Sequence, residues 1–310
     1  MCKYRFSIFT ATFNRASMLE KLAEMINNQT FQGKFEWVIV NDGSLDNTFD
    51  IVNAIIAKSR VPIKFINKEN GGKHTAWREA TKVFDGKYVV TCDDDDPLSP
   101  QMLEIFDRYW QQLEKSDYYD SYWEVRSRVQ YENGVLVGKE LPTPYFDSDY
   151  NIVTFKMRNA CEMVGCRKVE VLRNEAAVPD DFLFEKECSN FPEGIRWTRA
   201  ARKYKTRFIP EVTQTYIIGH DSLCVTPKGV KRTSKKNYNS LVSALYSLNE
   251  QGDLMRKYNF AQYLRNILIL AYSSVRLKKN TLPFIERLYD KFLVAFAYVP
   301  AFFIYIIRNK

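Results

Sequence analysis

Apolar positions in the first hundred residues fall into short continuous runs that alternate with helical stripes. Phe6-Ser7-Ile8-Phe9-Thr10 is an apolar, β-branched-containing run of strand length. Behind it, Met18, Leu19, Leu22, Met25 and Ile26 recur at helical spacing and predict an amphipathic helix. Phe35 to Val40 predicts a second strand. Ser44 then reads as the cap of a helix carrying Phe49, Val52, Ile55 and Ile56. Ile63 to Ile66 predicts a third strand, and a helix is expected from about Lys73. Tyr88 to Cys92 predicts a fourth strand that runs straight into Asp93-Asp94-Asp95-Asp96. Ser99-Pro100 reads as the N-cap and first position of another helix.

This alternation implies an α/β fold: a mostly parallel central sheet with helices on both faces. Ligands of such sheets bind outside the carboxyl ends of the strands. Here each expected strand ends in a polar cluster: Thr10-Ala11-Thr12, Asn41-Asp42-Gly43-Ser44, Asn67, and the aspartates. The topology should gather these clusters along one edge. From about residue 117 the pattern becomes mixed, and Asn133-Gly134 signals a hairpin turn. A basic linker, Thr226 to Asn237, precedes helical sequence. The expected division is an α/β body over 1–225 and a basic helical extension over 226–310.

Composition sharpens the second region more than the first. Of 310 residues, 45% are hydrophobic and 26% charged, as in an ordinary globular protein with a real core. Residues 226–310 carry 15 Lys and Arg against 4 Asp and Glu; the preceding 225 carry 30 against 33. A basic extension on a near-neutral body favours an anionic partner. No nucleic-acid motif accompanies the charge, so a membrane surface is the expected partner and nucleic acid is not. Phe292 to Ile307 is an uncharged run of sixteen residues, with Lys291 and Arg308 on its flanks, and Pro300 is expected to interrupt it. A spanning helix needs about 20 residues, so the run reads as a helix lying in the membrane interface. Packing on the main body, or a dimer contact, is the alternative. The six cysteines form no CxxC pair and there are two histidines, which argues against a structural zinc site. The first residues show no charged region leading into a long apolar stretch, so no secretory signal is expected. Reduced thiols and a cytoplasmic location, peripheral at the inner face of the cell membrane, follow as expectations.

The chemistry centres on the aspartates. Adjacent carboxylates repel, and desolvated anions are costly, so such a run needs solvent or a cation. Alternation along an extended backbone would put Asp93 and Asp95 on one face. Hard oxygen ligands suit Mg²⁺ or Mn²⁺, which could bridge to a diphosphate. Neither GxxxxGK[ST] nor GxGxxG occurs, which argues against a P-loop kinase or a dinucleotide oxidoreductase.

Several segments, in order, resemble the inverting family 2 glycosyltransferases of the GT-A fold. They are Thr10-Ala11-Thr12-Phe13-Asn14-Arg15, Asn41-Asp42-Gly43-Ser44-Leu45-Asp46, Asn70-Gly71-Gly72-Lys73-His74-Thr75-Ala76, Cys92-Asp93-Asp94-Asp95-Asp96, and Phe191-Pro192-Glu193-Gly194-Ile195-Arg196-Trp197. The resemblance covers roughly residues 5–225. It implies that Asp42 faces the base of a nucleotide-sugar donor, with the backbone at Ala11 and Thr12 lining that pocket and Lys73 near the nucleotide. Asp93 and Asp95 match the DxD motif, Asp93 near ribose and metal and Asp95 as direct ligand; Asp96 would support them. Glu193 would be the general base, with Asp180 and Asp181 as competing candidates, and His220 falls where a late histidine meets the metal. The implied activity is inverting, metal-dependent transfer, from a UDP-sugar above all, to a glycan or lipid-linked glycan, as in polysaccharide biosynthesis. The chain departs from the family pattern at Asn41, where Asp is commoner, at Asp94, where a small residue is usual, and at Trp77 and Glu79-Ala80, where Asn and Gly are usual. A nucleotidyltransferase, or an inactive carbohydrate-binding scaffold, is the alternative reading.

Overall fold

The computed structural model describes residues 2–157, 162–175, 183–188, 191–192, 194–217 and 234–309. In chain order the elements are β1 (Tyr4–Thr12), α1 (Ala16–Asn27), β2 (Phe35–Asn41), α2 (Thr48–Lys58), β3 (Ile63–Asn67), α3 (Lys73–Val83), β4 (Gly86–Thr91) and α4 (Met102–Glu114). There follow β5 (Tyr122–Tyr131), β6 (Phe146–Ser148), α5 (Tyr150–Phe155), β7 (Met163–Lys168), α6 (Val169–Asn174), α7 (Gly194–Ala200) and β8 (Lys205–Tyr216). Three helices close the described chain: α8 (Ser234–Tyr258), α9 (Phe260–Leu277) and α10 (Leu288–Asn309).

The strands form one sheet in the order β3-β2-β1-β4-β7-β5-β8-β6. The first four are parallel, in the alternating β-α register the sequence predicts. Strand β7 runs antiparallel to both β4 and β5, whereas β5 and β8 are parallel. Residues of β1 divide between two layers. Phe6 and Ile8 pack with Leu19 and Leu22 of α1 and Phe106 and Trp110 of α4. On the opposite side Phe9 meets Trp77 of α3, with ring centroids 4.3 Å apart, and Phe84 closes that layer. Trp77 is fully buried, so its departure from the family pattern is a core-filling residue. Losing its ring would cost about 3–5 kcal/mol.

Contacts divide the chain into two compact units. One comprises 1–150, 159–177 and 200–223; the other comprises 151–158, 178–199 and 224–310. The second therefore takes in two short segments that lie before the expected boundary at 225. Its core is formed by Leu241, Leu245 and Leu248 of α8, Ile267 and Leu270 of α9, and Val294 of α10, with Phe155 and Phe191.

Three local expectations are corrected. Ser44 does not cap α2: its Oγ accepts from the Asn14 N–H instead, and Asp46 accepts from the Thr48 N–H and hydroxyl at the helix start. Ser99 and Pro100 precede α4 by a turn, with Gln101 in the capping position and its N–H bonded to the Ser99 hydroxyl. The apolar run is not interrupted at Pro300: α10 continues through it for 22 residues, and Leu288–Ile307 is long and apolar enough to cross a membrane by length and composition. The Asn-Gly turn forms, with Gly134 at φ 79° and the Tyr131 N–H bonded to the Val135 carbonyl.

Candidate functional site

The parallel register brings the polar strand ends level. Thr12 of β1 pairs with Asn41 of β2, and Asn41 with Asn67 of β3. The Asp42 N–H bonds the Thr12 carbonyl, the Lys68 N–H the Asn41 carbonyl, and the Cys92 N–H the Phe9 carbonyl. The loops beyond are laced together by side chains. Asn14, at a positive φ of 54°, accepts from the Leu45 N–H at 2.7 Å. Asn41 donates to the Asn67 side chain at 2.8 Å, and its oxygen accepts from the Ser44 N–H. Asparagine at position 41 thus uses both its donor and its acceptor, which an aspartate could not.

Asp42 is buried. Its carboxylate accepts from Lys68 Nζ at 2.6 Å, the Gly71 N–H at 3.0 Å and the Gly72 N–H at 2.7 Å. Asn70 donates to the Asp42 carbonyl at 2.8 Å. The 70–72 turn is therefore folded down onto Asp42, which requires close backbone approach. A side chain on Gly43, at φ +77°, would meet the Asn70 nitrogen at 2.5 Å, and Gly72 also sits at positive φ. The turn delivers Lys73 to the first position of α3, where its Nζ reaches both oxygens of Asp93, at 2.8 and 2.9 Å. His74 follows, buried.

Strand pairing stops at Thr91, and the aspartates lie in a turn. The alternation expected of an extended run survives nonetheless. Side chains of Asp93 and Asp95 are 41% and 45% exposed, whereas Asp94 is 5% exposed. Asp94 accepts from the Thr12 hydroxyl at 2.8 Å and from Arg15 at 2.9 Å. The same guanidinium nitrogen of Arg15 lies 2.5 Å from Asp95. Burial pushes the Asp94 carboxyl up against the opposing pull of Thr12 and Arg15. Asp96 is pushed up to about 7 by burial and by the charges of Asp93, Asp95 and Glu162; Gln214 of β8 donates to it. The site is thus a concentration of negative charge held by two cations, one hydroxyl and one amide.

Asp93 and Asp95 have the chemistry of divalent-ion ligands: hard oxygens, partly exposed, already attracting positive groups. Among the described residues no three His, Cys, Asp or Glu side chains form a ready metal cage. Two carboxylates completed by a ligand's phosphates is the usual arrangement for Mg²⁺-type ions. Ala11, Thr12, Asp42, Lys73, Asp93 and Asp95 thus all come to one edge. Glu193, His220, Asp180 and Asp181 lie outside the described residues. Arg15, Lys68 and Gln214 were not singled out by the sequence. Arg15 stands inside a quoted motif, and its place after Asn14 was the available signal.

A family model described as glycosyl transferase family 2 matches residues 7–162. The uncharacterized glycosyltransferase YwdF of Bacillus subtilis is 26% identical over 213 residues, 68% of this chain and 74% of that protein. The uncharacterized glycosyltransferase MG060 homolog of Mycoplasma pneumoniae is 29% identical over 117 residues, 37% of this chain and 38% of its own length. Chondroitin synthase of Pasteurella multocida is 31% identical over 99 residues, 32% of this chain and 10% of the synthase. The chain thus spans well under two thirds of these last two relatives. Among solved structures, TarS 1–349 of S. aureus in complex with UDP-GlcNAc superposes with a TM-score of 0.55 at 15% identity, over 96% of this chain and 81% of that one. The mannosyltransferase PcManGT of Pyrobaculum calidifontis, with GDP-Man and Mn²⁺, gives 0.54 at 17% identity, over 96% and 80%. At these identities the structures establish a shared GT-A fold.

Proposed function

The chain belongs to glycosyl transferase family 2, and on that premise we propose that it transfers a sugar, with inversion, from a nucleotide-sugar donor to a glycan or lipid-linked glycan. The observation that carries the reading is the outward pair Asp93 and Asp95 at the carboxyl edge of the sheet, paired with Lys73 and Arg15. A UDP-sugar is the donor we favour; the complexes of TarS with UDP-GlcNAc and of PcManGT with GDP-Man and Mn²⁺ support a nucleotide sugar and a divalent ion.

Asp93 and Asp95 would hold Mn²⁺ or Mg²⁺, with His220 as a further ligand. Such an ion, when bound, neutralises charge on the departing nucleoside diphosphate. The remaining roles belong to the protein. Asp42 and the backbone at Ala11 and Thr12 would line the nucleotide pocket. Lys73, freed from Asp93, offers its ammonium to the phosphates. Glu193, just before α7, is the general base: it takes the proton of the acceptor hydroxyl as that oxygen attacks the anomeric carbon from the face opposite the leaving group. The transition state resembles an oxocarbenium ion.

The test is donor consumption. With UDP-sugars and Mn²⁺ the protein should release UDP. Asp95→Asn should abolish metal-dependent UDP binding, whereas Glu193→Gln should bind UDP normally and fail to transfer. Absence of turnover with every donor, together with no metal-dependent nucleotide binding, would overturn the reading. Near-normal turnover by Glu193→Gln would move the base to Asp180 or Asp181.

A further inference from the structure

Within the second unit, α9 and α10 run side by side in the same direction. The Tyr263 hydroxyl, near the start of α9, donates to Asp290 near the start of α10. Toward the other end, Ser274 reaches Tyr298 through the Thr281 hydroxyl, at 2.9 and 3.1 Å. One stripe of α10 is buried: Asp290, Val294, Ala297 and Ala301. Its spacing of four, three and four residues is that of a single helix face. The opposite face of the helix is exposed. Phe292 is 58% exposed, Phe296 76%, Val299 61%, Phe303 60% and Ile307 74%. Across Leu288–Ile307 the mean hydropathy is 1.7, yet only 22% of the window is buried. A large aromatic and aliphatic face of this kind marks a contact surface.

The charge beside it indicates what the contact is. Helix α9 ends at Leu277, and Lys278 just after it adopts the left-handed conformation and turns the chain. Lys278 and Lys279 are both exposed there. They share an open groove of about 610 Å³ with Val275, Tyr298, Phe302 and Phe303. Exposed lysines thus border an aromatic and aliphatic groove that Tyr298 also lines. Membrane-interface helices have this composition: apolar rings for the acyl boundary, Tyr at headgroup level, and Lys for phosphates. The stripe from Asp290 to Ala301, with a buried carboxylate at its start, is already packed, so only the opposite face of α10 is open to lipid, which suits a helix lying in the interface.

We propose that α10 and the end of α9 lie in the interface of a bilayer containing anionic phospholipid. Phe292, Phe296, Phe302 and Phe303 enter the acyl boundary, and Lys278 and Lys279 meet the lipid phosphates.

The full-length chain is floated with phosphatidylcholine vesicles, with and without phosphatidylglycerol. It should float with the anionic vesicles, and less so as salt is raised. Lys278→Glu with Lys279→Glu should weaken binding to anionic vesicles by about tenfold or more and leave the neutral baseline unchanged. Phe302→Ser with Phe303→Ser should reduce binding to both kinds. These side chains are exposed, so thermal melts should match the parent and separate lost contact from lost fold. The proposal is overturned if the parent stays with the unfloated fraction at low salt, or if the Phe pair changes nothing. It is equally overturned if light scattering shows a dimer that the Phe pair dissociates, which would assign the face to a second copy. None of these readouts involves sugar transfer, so the outcome stands apart from that of the transferase reading.

Discussion

Replacing Arg15 with alanine separates two effects that its guanidinium exerts on the acidic turn. Arg15 bridges a buried carboxylate, Asp94, and a half-exposed one, Asp95. An ion approaching Asp95 competes with that cation. A pair of this exposure is worth about 0.2–1 kcal/mol. Its removal should therefore tighten Mn²⁺ binding in the absence of nucleotide by up to about fivefold. At Asp94 the effect has the opposite sense. Its carboxylate loses a charged partner and keeps the Thr12 hydroxyl, which costs about 1–3 kcal/mol of folding free energy. At about 2–4 °C per kcal/mol, the melting temperature should fall by several degrees. Asp94→Ser, restoring the small residue of the family pattern, should recover most of that loss in the Arg15→Ala background, because no buried charge then remains. The assay is a Mn²⁺ titration followed by the paramagnetic resonance of the free ion, beside thermal melts of the single and double variants. Weaker Mn²⁺ binding by Arg15→Ala, or additive melting shifts in the double variant, would refute the reasoning.

Two further outcomes follow from the same carboxylates. Asp96, held near 7 by burial and its acidic neighbours, keeps a proton that the unfolded chain has released above about pH 4. Its contribution to stability is full below that pH and is lost as pH rises toward 7. In metal-free protein Asp96→Asn should raise the unfolding free energy at pH 8 by about 1–2 kcal/mol once solvent screening is allowed for, read as a higher melting temperature, and leave it unchanged at pH 4; equal shifts at both pH values would refute the assignment. Asp42→Asn leaves one oxygen to serve Lys68 and the Gly71 and Gly72 N–H groups. It should cost about 2–3 kcal/mol in urea unfolding and loosen the 70–72 turn; an unchanged midpoint would show that the turn does not depend on the charge.

The strand ends were legible because their signal is local. Four apolar runs, each closed by polar residues, specify strands, and the parallel α/β rule then places their ends on one edge. What pairs across that edge was not legible. Arg15 and Asp94 are 79 positions apart, Gln214 and Asp96 118, and no period or propensity links residues at such separations. Helix caps failed for a related reason. Ser44 is a sound cap by type, but its hydroxyl found a tertiary partner in the Asn14 N–H, leaving Asp46 to serve α2. At Asp94 the sequence offered only a departure from a family pattern; the structure supplies its balance, an arginine and a threonine inside the motif of β1. The length of α10 was misjudged because Pro300 reads as a breaker, whereas a helix whose outer face is open accommodates the lost hydrogen bond.

Charge at the acidic turn bears on the order of events. Asp93, Asp94 and Asp95 are opposed by Lys73 and Arg15, with Asp96 adding partial negative charge near neutral pH. A nucleoside diphosphate approaching this edge alone meets net repulsion, eased only where Lys73 swings away from Asp93. A divalent ion approaching alone finds two carboxylates, each already engaged, and no third ligand among the described residues. Together the two supply what each lacks: the ion cancels the repulsion, and the phosphates complete its oxygen shell. Each should therefore tighten the other's binding by the same factor, since such coupling is reciprocal. On the proposed reading, Lys73 and Arg15 would neutralise the carboxylates until donor and ion arrive, and each would then be released toward the phosphates.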